Sequence, residues 1–389
     1  MSNPPVLNNS HRFPDNMVNA HSLLLLAKEG RKGNKKEKSY AVPAFNVTNV
    51  TTVNAAVSAF EMLGSSGILA FSNSALKHFG LGDPILGLEI ATGYIETLAR
   101  RSSIKIATHL DHGDYMHDKG RKLIQESVRR LTSVMADNST DPDSKKSVSL
   151  KGNIEATREV VNMAHPLGVS VEGELGVLAG EEDEDTKSDF STYTDPSELD
   201  QFLKDTGVLM LAPTIGTMHG PNKGKPGHKV KLNIALAHQL LEIANKIDPT
   251  ICFVAHGAST LYPEVQSYAV DILEKFAMGN GSLQKWKDFV GTDWEQIEGL
   301  IEAGFVKINT DTENRQTYLS KLIGVLAKDA AKIDIRHYEK ETTEALTQSY
   351  IRKLIMSRNY GVWHEPKIDV KKFRFDLSKN LKEATAQEG

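Results

Sequence analysis

The chain has 389 residues, 25% of them charged and 40% apolar, and its 46 Lys and Arg stand against 50 Asp and Glu for a formal charge of −4. Such a near-balance excludes a global field that attracts nucleic acid or an anionic membrane, so any anionic ligand must be held locally. The composition also excludes a disordered, collagen-like or disulfide-scaffold protein, and the length suits one large α/β domain with embellishments or two medium ones.

Residues 1–38 read as an N-terminal extension with a helix near Ala20–Lys28. Its apolar run Leu23–Ala27 is far too short to span a membrane, and it lies in the wrong order for a secretory signal. Between Lys28 and Lys38 there are six basic and two acidic residues, but no aromatic residue interleaves them, so a solvated loop is expected there. From Tyr40 onward strand-like apolar runs alternate with helix-length stretches. Strands are expected at Tyr40–Phe45, Ile68–Phe71, Ile104–Leu110 and Val134–Ala136, with helices near Asn49–Met62, Pro84–Arg100 and Lys122–Leu131. Ile154–His165 is a helix stopped by Pro166 and Gly168, and Val169–Leu175 is the fifth strand. Further strands at Val208–Ile215, Ile251–Ala255 and Phe305–Ile308 alternate with helices at Leu232–Ile247, Ile297–Ala303 and from about Asn314.

Eight such units argue for an α/β protein built as a closed (β/α)8 TIM barrel with N-terminal, internal and C-terminal helical embellishments; an open doubly wound sheet is the alternative. The whole of 1–389 is expected to be one domain. Ser139–Lys151 is a polar insertion, and 260–296 is a longer one with a helical pattern at Val265–Phe276. The segment after Ala330 is helical to about Arg358, followed by a Lys- and Asp-rich tail. The single cysteine, Cys252, cannot form an internal disulfide and reads as core in a reducing compartment, so a soluble cytoplasmic protein is expected.

Polar residues gather at the carboxyl ends of these strands, where barrel enzymes build their sites. Strand three ends in His109-Leu110-Asp111-His112-Gly113, strand four at Asp137, and strand five carries Glu172 and Glu174. Strand six ends in Gly216-Thr217-Met218-His219-Gly220, strand seven in His256-Gly257-Ala258-Ser259, and strand eight in Asn309-Thr310-Asp311-Thr312. Three neutral imidazoles converging from His112, His219 and His256, with a fourth position open, would make a catalytic zinc site. Gly220, Gly257, Ser259, Asp311 and Thr312 could supply N–H and hydroxyl donors to a phosphate.

Together these residues resemble the class II, metal-dependent fructose-bisphosphate aldolases. The resemblance begins at Val42-Pro43-Ala44-Phe45-Asn46 and Phe71-Ser72-Asn73 and runs through Val171-Glu172-Gly173-Glu174-Leu175-Gly176 and Gly180-Glu181-Glu182-Asp183. It covers roughly residues 40–325 in the family's order. It implies His112, His219 and His256 as ligands of a catalytic Zn2+, and Asp137 and Glu174 as holders of a second or alternate divalent metal. It also implies Asp111 as the carboxylate managing the C4 hydroxyl proton, Glu182 as the base on a mobile loop, and Asn309 as the residue steadying the enediolate. For substrate and phosphate it implies Asn46, Ser72, Gly220, Lys223, Gly257, Ser259, Asp311 and Thr312, with a monovalent cation (Na+ or K+) near that cradle. Its substrates would be small sugar phosphates, with neither nucleic acid nor membrane as partner, and it would form a homodimer or larger homo-oligomer.

Blander assignments stand beside these. Without the resemblance Glu172 and Glu174, on one strand face, are a buried pair bonded to neighbours. Glu181, Asp183, Glu184 and Asp185 are expected in a solvated loop, and His109 stays open between supporting the ligands and having no role. Segment 260–296 is longer than the family's usual connection, and the segment after Ala330 departs from its pattern. Arg352 and Arg358 are therefore the candidates for a second phosphate. The expected reaction is cleavage of fructose 1,6-bisphosphate to dihydroxyacetone phosphate and glyceraldehyde 3-phosphate, and its reverse. Alternatives are the same chemistry on tagatose 1,6-bisphosphate or another ketose phosphate, a metal-dependent hydrolase, and a non-catalytic scaffold.

Overall fold

The computed structural model describes residues 12–33, 39–141, 143–144, 146–177, 179–183, 186–188, 193–219, 231–275, 282–328 and 331–373. Eight parallel strands close a barrel: β1 (Val42–Asn46), β2 (Gly67–Phe71), β3 (Ile106–Gly113), β4 (Ser133–Ala136), β5 (Ser170–Leu175), β6 (Met210–Pro213), β7 (Cys252–Ala255) and β8 (Phe305–Thr310). Each strand pairs with the next, and β1 closes on β8 in the register Val42↔Lys307 and Ala44↔Asn309. The open-sheet alternative is thereby excluded.

Local chemistry accounts for the helices between the strands. Helix Val50–Leu63 starts at a capping box, in which Asn49 accepts from the Thr52 N–H and Thr52 reaches back to Asn49, and it stops at left-handed Gly64. Helix Pro196–Thr206 has Asp195 as its cap, Pro196 in its first turn and left-handed Gly207 at its end. Its outward positions are polar while Leu199, Phe202 and Leu203 are buried.

Helix Ala20–Gly33 lies across the amino end of the barrel. Ala20, Leu23, Leu24 and Ala27 pack with Val42, Ala44, Ile68, Ala107, Met135, Met210, Cys252, Val254 and Val306 from the strands. Cys252 is core, as expected. His21 Nε2 lies 2.9 Å from Thr250 O, and Lys28 Nζ donates to Ile251 O at 2.5 Å, both just ahead of β7.

The segment after β7 contains helices Pro263–Lys275 and Ser282–Lys287 before helix Trp294–Ala303. It docks on helix Thr312–Lys328 at Gly324, where a Cβ would lie 1.4 Å from Tyr268 Oη. Only glycine leaves room for that ring. Helix Ile335–Met356 packs on Val50–Leu63 and Thr312–Lys328, with the Tyr350 ring 4.3 Å from that of Phe45. The chain beyond it returns to the first helix layer, where Trp363 Nε1 donates to Ser66 Oγ at 2.7 Å.

Two expectations need correction. The acidic run is not all loop: Ala179–Asp183 is a strand, antiparallel to Thr186–Ser188 and parallel to Met218–His219. Backbone pairing is indifferent to the side-chain charge that suggested a loop. The polar insertion after β4 is also shorter than expected, because helix Leu150–Ala164 begins at the Ser149 cap. Among the described residues no helix is long and apolar enough to cross a membrane.

Candidate active site

The site lies at the carboxyl end of the barrel and begins with an irregularity in β3. In a regular strand Asp111 and His112 would point to opposite faces. Here the β3–β4 register shifts between Leu110 and Gly113, and His112 takes a left-handed φ of 50°. Both side chains consequently reach the same place: ligand atoms of Asp111, His112 and His256 lie within 4.8 Å of one another. A second group of the same kind joins His112 to Asp137 and Glu174.

Two carboxylates fix the imidazoles. Asp137 Oδ2 lies 2.8 Å from His112 Nδ1, and Glu172 Oε1 lies 2.7 Å from His256 Nε2. Because a carboxylate only accepts, His112 carries its proton on Nδ1 and His256 on Nε2 when each ring is neutral. Asn309 Nδ2 also lies 3.2 Å from His256 Nε2, but the nearer, charged carboxylate decides the tautomer. The remaining lone pairs, on His112 Nε2 and His256 Nδ1, then face each other 2.9 Å apart. Two lone pairs at that separation repel unless a proton or a cation lies between them.

Glu172 has a second attachment below. Its Oε2 takes a 2.6 Å bond from Lys307 Nζ, which also lies 3.3 Å from His109 Nε2; Lys307, Glu172 and His109 are all fully buried. Burial first, and the Lys307 charge second, hold the His109 pKa well below its usual value, so this imidazole is neutral. His109 Nδ1 meets Ser133 Oγ at 2.8 Å. His109 thus belongs to a buried network beneath the two imidazoles. Lys307 and its tie to Glu172 went unnoticed in the sequence, although a lysine inside an apolar strand signals a buried partner.

Asp111 is gripped from two sides. Asn46 Nδ2 donates to Oδ2 at 2.8 Å and Asn309 Nδ2 to Oδ1 at 3.0 Å. The other amide atoms, Asn46 Oδ1 and Asn309 Oδ1, are buried with no hydrogen-bond partner among the described residues. Such acceptors suit the hydroxyl hydrogens of a polyol.

On the far side Ser259 Oγ accepts from the Asp311 and Thr312 N–H groups, at 3.1 and 3.2 Å. Those two N–H groups are thus engaged, and an oxygen accepting twice can act on a third partner only through its own hydrogen. Asp311 pairs with Arg315 at 2.9 Å. Ser72 caps helix Asn73–Phe79 through a 3.2 Å bond from the Ala75 N–H. The Gly257 backbone is left-handed, with φ of 61°. The His219 backbone pairs with Gly180. The side chains of His219 and Glu182, and Gly220 and Lys223 altogether, lie outside the described residues. Arg352 stacks 3.9 Å over the Tyr262 ring and pairs with Glu264. Arg358 pairs with Glu298 and donates to Ser39 O at 2.9 Å, ahead of β1 and so at the opposite end of the barrel.

Comparison with known proteins gives one consistent answer. The profile of the family described as "Fructose-bisphosphate aldolase class-II" matches residues 33–361. A Synechocystis protein named "Fructose-bisphosphate aldolase class 2" is 32% identical over 341 residues, covering 84% of this chain and 86% of that one. The Helicobacter pylori fructose-bisphosphate aldolase is 32% identical over 330 residues, covering 83% and 92%. In fold, the crystal structure of a Campylobacter jejuni fructose-bisphosphate aldolase matches with a TM-score of 0.66 at 17% identity, over 90% of this chain and 98% of that one.

Proposed function

The chain belongs to the class II fructose-bisphosphate aldolase family, a family of lyases, and on that premise we propose that it is a zinc-dependent aldolase for fructose 1,6-bisphosphate. The observation that carries this reading is the pair of imidazole lone pairs 2.9 Å apart, each ring held from behind by a carboxylate. Nitrogen ligands around tetrahedral zinc, at about 2.0–2.1 Å from the metal, stand roughly 3.3 Å from one another, so a small opening of this pair accommodates the ion. Carboxylate–histidine–metal chains are the usual support of such ligands. His112 and His256 would hold the metal with His219 as the third ligand. Asp137 and Glu174, beside His112, are the donors for a second or alternate divalent ion. A divalent metal there supplies the electrophile that stabilises negative charge developing on the ketose oxygen as the C3–C4 bond breaks.

The residues of the chain supply the rest. Asp111, fixed by Asn46 and Asn309, takes the C4 hydroxyl proton during cleavage and returns it during condensation. Asn46 Oδ1 and Asn309 Oδ1 accept hydroxyl hydrogens of the sugar, and Asn309 steadies the enediolate. Glu182 removes the C1 proton of dihydroxyacetone phosphate in condensation. Ser72, Gly220, Lys223, Gly257 and Ser259 form the phosphate cradle, with the Asp311 and Thr312 N–H groups setting the Ser259 hydroxyl as a donor and a monovalent cation beside it. The protein acts in glycolysis and gluconeogenesis, as a homodimer or larger homo-oligomer in the cytoplasm, with the inserted and terminal segments as parts of one domain.

The test is cleavage of fructose 1,6-bisphosphate by chelator-stripped protein before and after zinc, with tagatose 1,6-bisphosphate in parallel. Activity restored by zinc and lost in His219→Ala is expected, with fructose bisphosphate preferred. A tagatose preference would change the substrate. No cleavage of either sugar by folded, metal-loaded protein would overturn the reading.

A further inference from the structure

The turn after β7 is held by a residue from the far end of the inserted segment. Thr292 Oγ1 donates to Gly257 O and the Thr292 N–H donates to Ser259 O, each at 3.0 Å. Thr292 is 1% exposed. The residue before it has no room for a side chain, because a Cβ on Gly291 would lie 2.5 Å from Leu261 N. The inserted segment therefore ends in a close backbone apposition with the turn from which it departed.

In a trans peptide the C=O and the following N–H point in opposite directions. Pinning Gly257 O and Ser259 O to Thr292 thus turns the Ala258 and Thr260 N–H groups away from the inserted segment. Both residues are buried, and neither N–H donates to a protein acceptor among the described residues. A buried N–H left without an acceptor is costly, and N–H groups of one turn directed to the same side form a concavity for an anion. The Ser259 hydroxyl, set as a donor by the Asp311 and Thr312 N–H groups, belongs to the same turn.

We propose that Thr292 is a positioning residue for the substrate phosphate: it orients the donors of the Gly257–Thr260 turn before the anion arrives. The inference rests on the assignment of that turn as a phosphate cradle. Without the Thr292 hydroxyl the Gly257–Ala258 peptide plane loses one of its anchors, and part of its ordering falls to the binding step. The effect is expected in phosphate capture, since Thr292 makes no hydrogen bond to the imidazole pair or to Asp111 among the described residues.

The experiment measures binding of inorganic phosphate to the full, metal-loaded chain by titration calorimetry, alongside steady-state kinetics. Thr292→Val keeps the shape and the N–H bond but removes the hydroxyl, and it is expected to weaken phosphate about 3- to 10-fold, the worth of one hydrogen bond. KM for the bisphosphate rises by a similar factor, with kcat within about twofold. Thr292→Ser, which keeps the hydroxyl, retains most of the affinity. Thr292→Ala, which leaves room for a water, is the second variant should the valine not fold, and it is expected to weaken phosphate as well. Unchanged phosphate affinity in the folded Val or Ala variant overturns the inference while leaving the cradle intact. So does a fall in kcat without a change in KM, or a serine variant as weak as the valine. Absence of phosphate binding to the unmodified chain overturns the cradle assignment, and the inference with it.

Discussion

The two ends of the barrel are built on opposite rules. At the amino end the helix Ala20–Gly33 fills the opening with Leu23, Leu24 and Ala27, and the strand residues that meet it are small or aliphatic. At the carboxyl end six of the same eight strands finish in imidazoles, carboxylates and amides that bind one another. Closing one mouth lets the other be polar without admitting bulk water through the barrel. Changes at the first end should therefore register in stability, and changes at the second in rate.

The largest effect is expected at Asp111. Asp111→Ala should lower kcat by about 10²–10⁴, the usual worth of a positioned acid–base group, while the unfolding midpoint moves little. A variant that loses activity only in proportion to its folded fraction would erase the contrast. Next comes the layer between the two ends, where Lys307 and Glu172 pair in full burial. Lys307→Met leaves buried Glu172 without its ammonium partner and should cost about 3–5 kcal/mol in denaturant unfolding. It should also disturb His256, which Glu172 holds, so this position alone should lower both stability and activity per folded molecule.

At the plug, Leu24→Ala should cost about 2–5 kcal/mol, with kcat of the folded fraction unchanged. A kcat that falls with it would mean that the ends are coupled. The smallest effect concerns pH. Burial, and then the His21 charge, lower the His165 pKa to about 4, and burial lowers His21 as well. The unfolded rings take protons near pH 6.5, so stability is full above that value and is lost as pH falls from 6.5 toward 4. His165→Gln should flatten the dependence of the unfolding midpoint on pH across that window.

Much of this contrast was legible in the sequence. All eight strands show as short apolar runs bounded by polar or turn residues, because each is buried on both faces. The polar residues at their carboxyl ends marked the site, and Asp111, His112, His256, Asn46 and Asn309 do meet there. The left-handed turn at His112 was not legible, since it arises from a register shift between β3 and β4 that no local pattern encodes. Helix Pro196–Thr206 was overlooked despite its Asp195-Pro196 start and Gly207 stop. The strand Ala179–Asp183 could not be read, because its acidic residues carry no apolar alternation and one of its two partners, Met218–His219, is distant in sequence.

The plug also sets an order of events during synthesis. Leu24 emerges from the ribosome first, while Val306, which shares its cluster, is made near the end of the barrel. At about 5–20 residues per second the apolar face of that helix waits roughly 15–60 s for its last partner. Throughout that interval it is an exposed amphipathic segment on an unfinished chain, the kind of surface that chaperones recognise and aggregates recruit. Substitutions that lower the helix's apolarity would thus trade final stability for a safer passage off the ribosome.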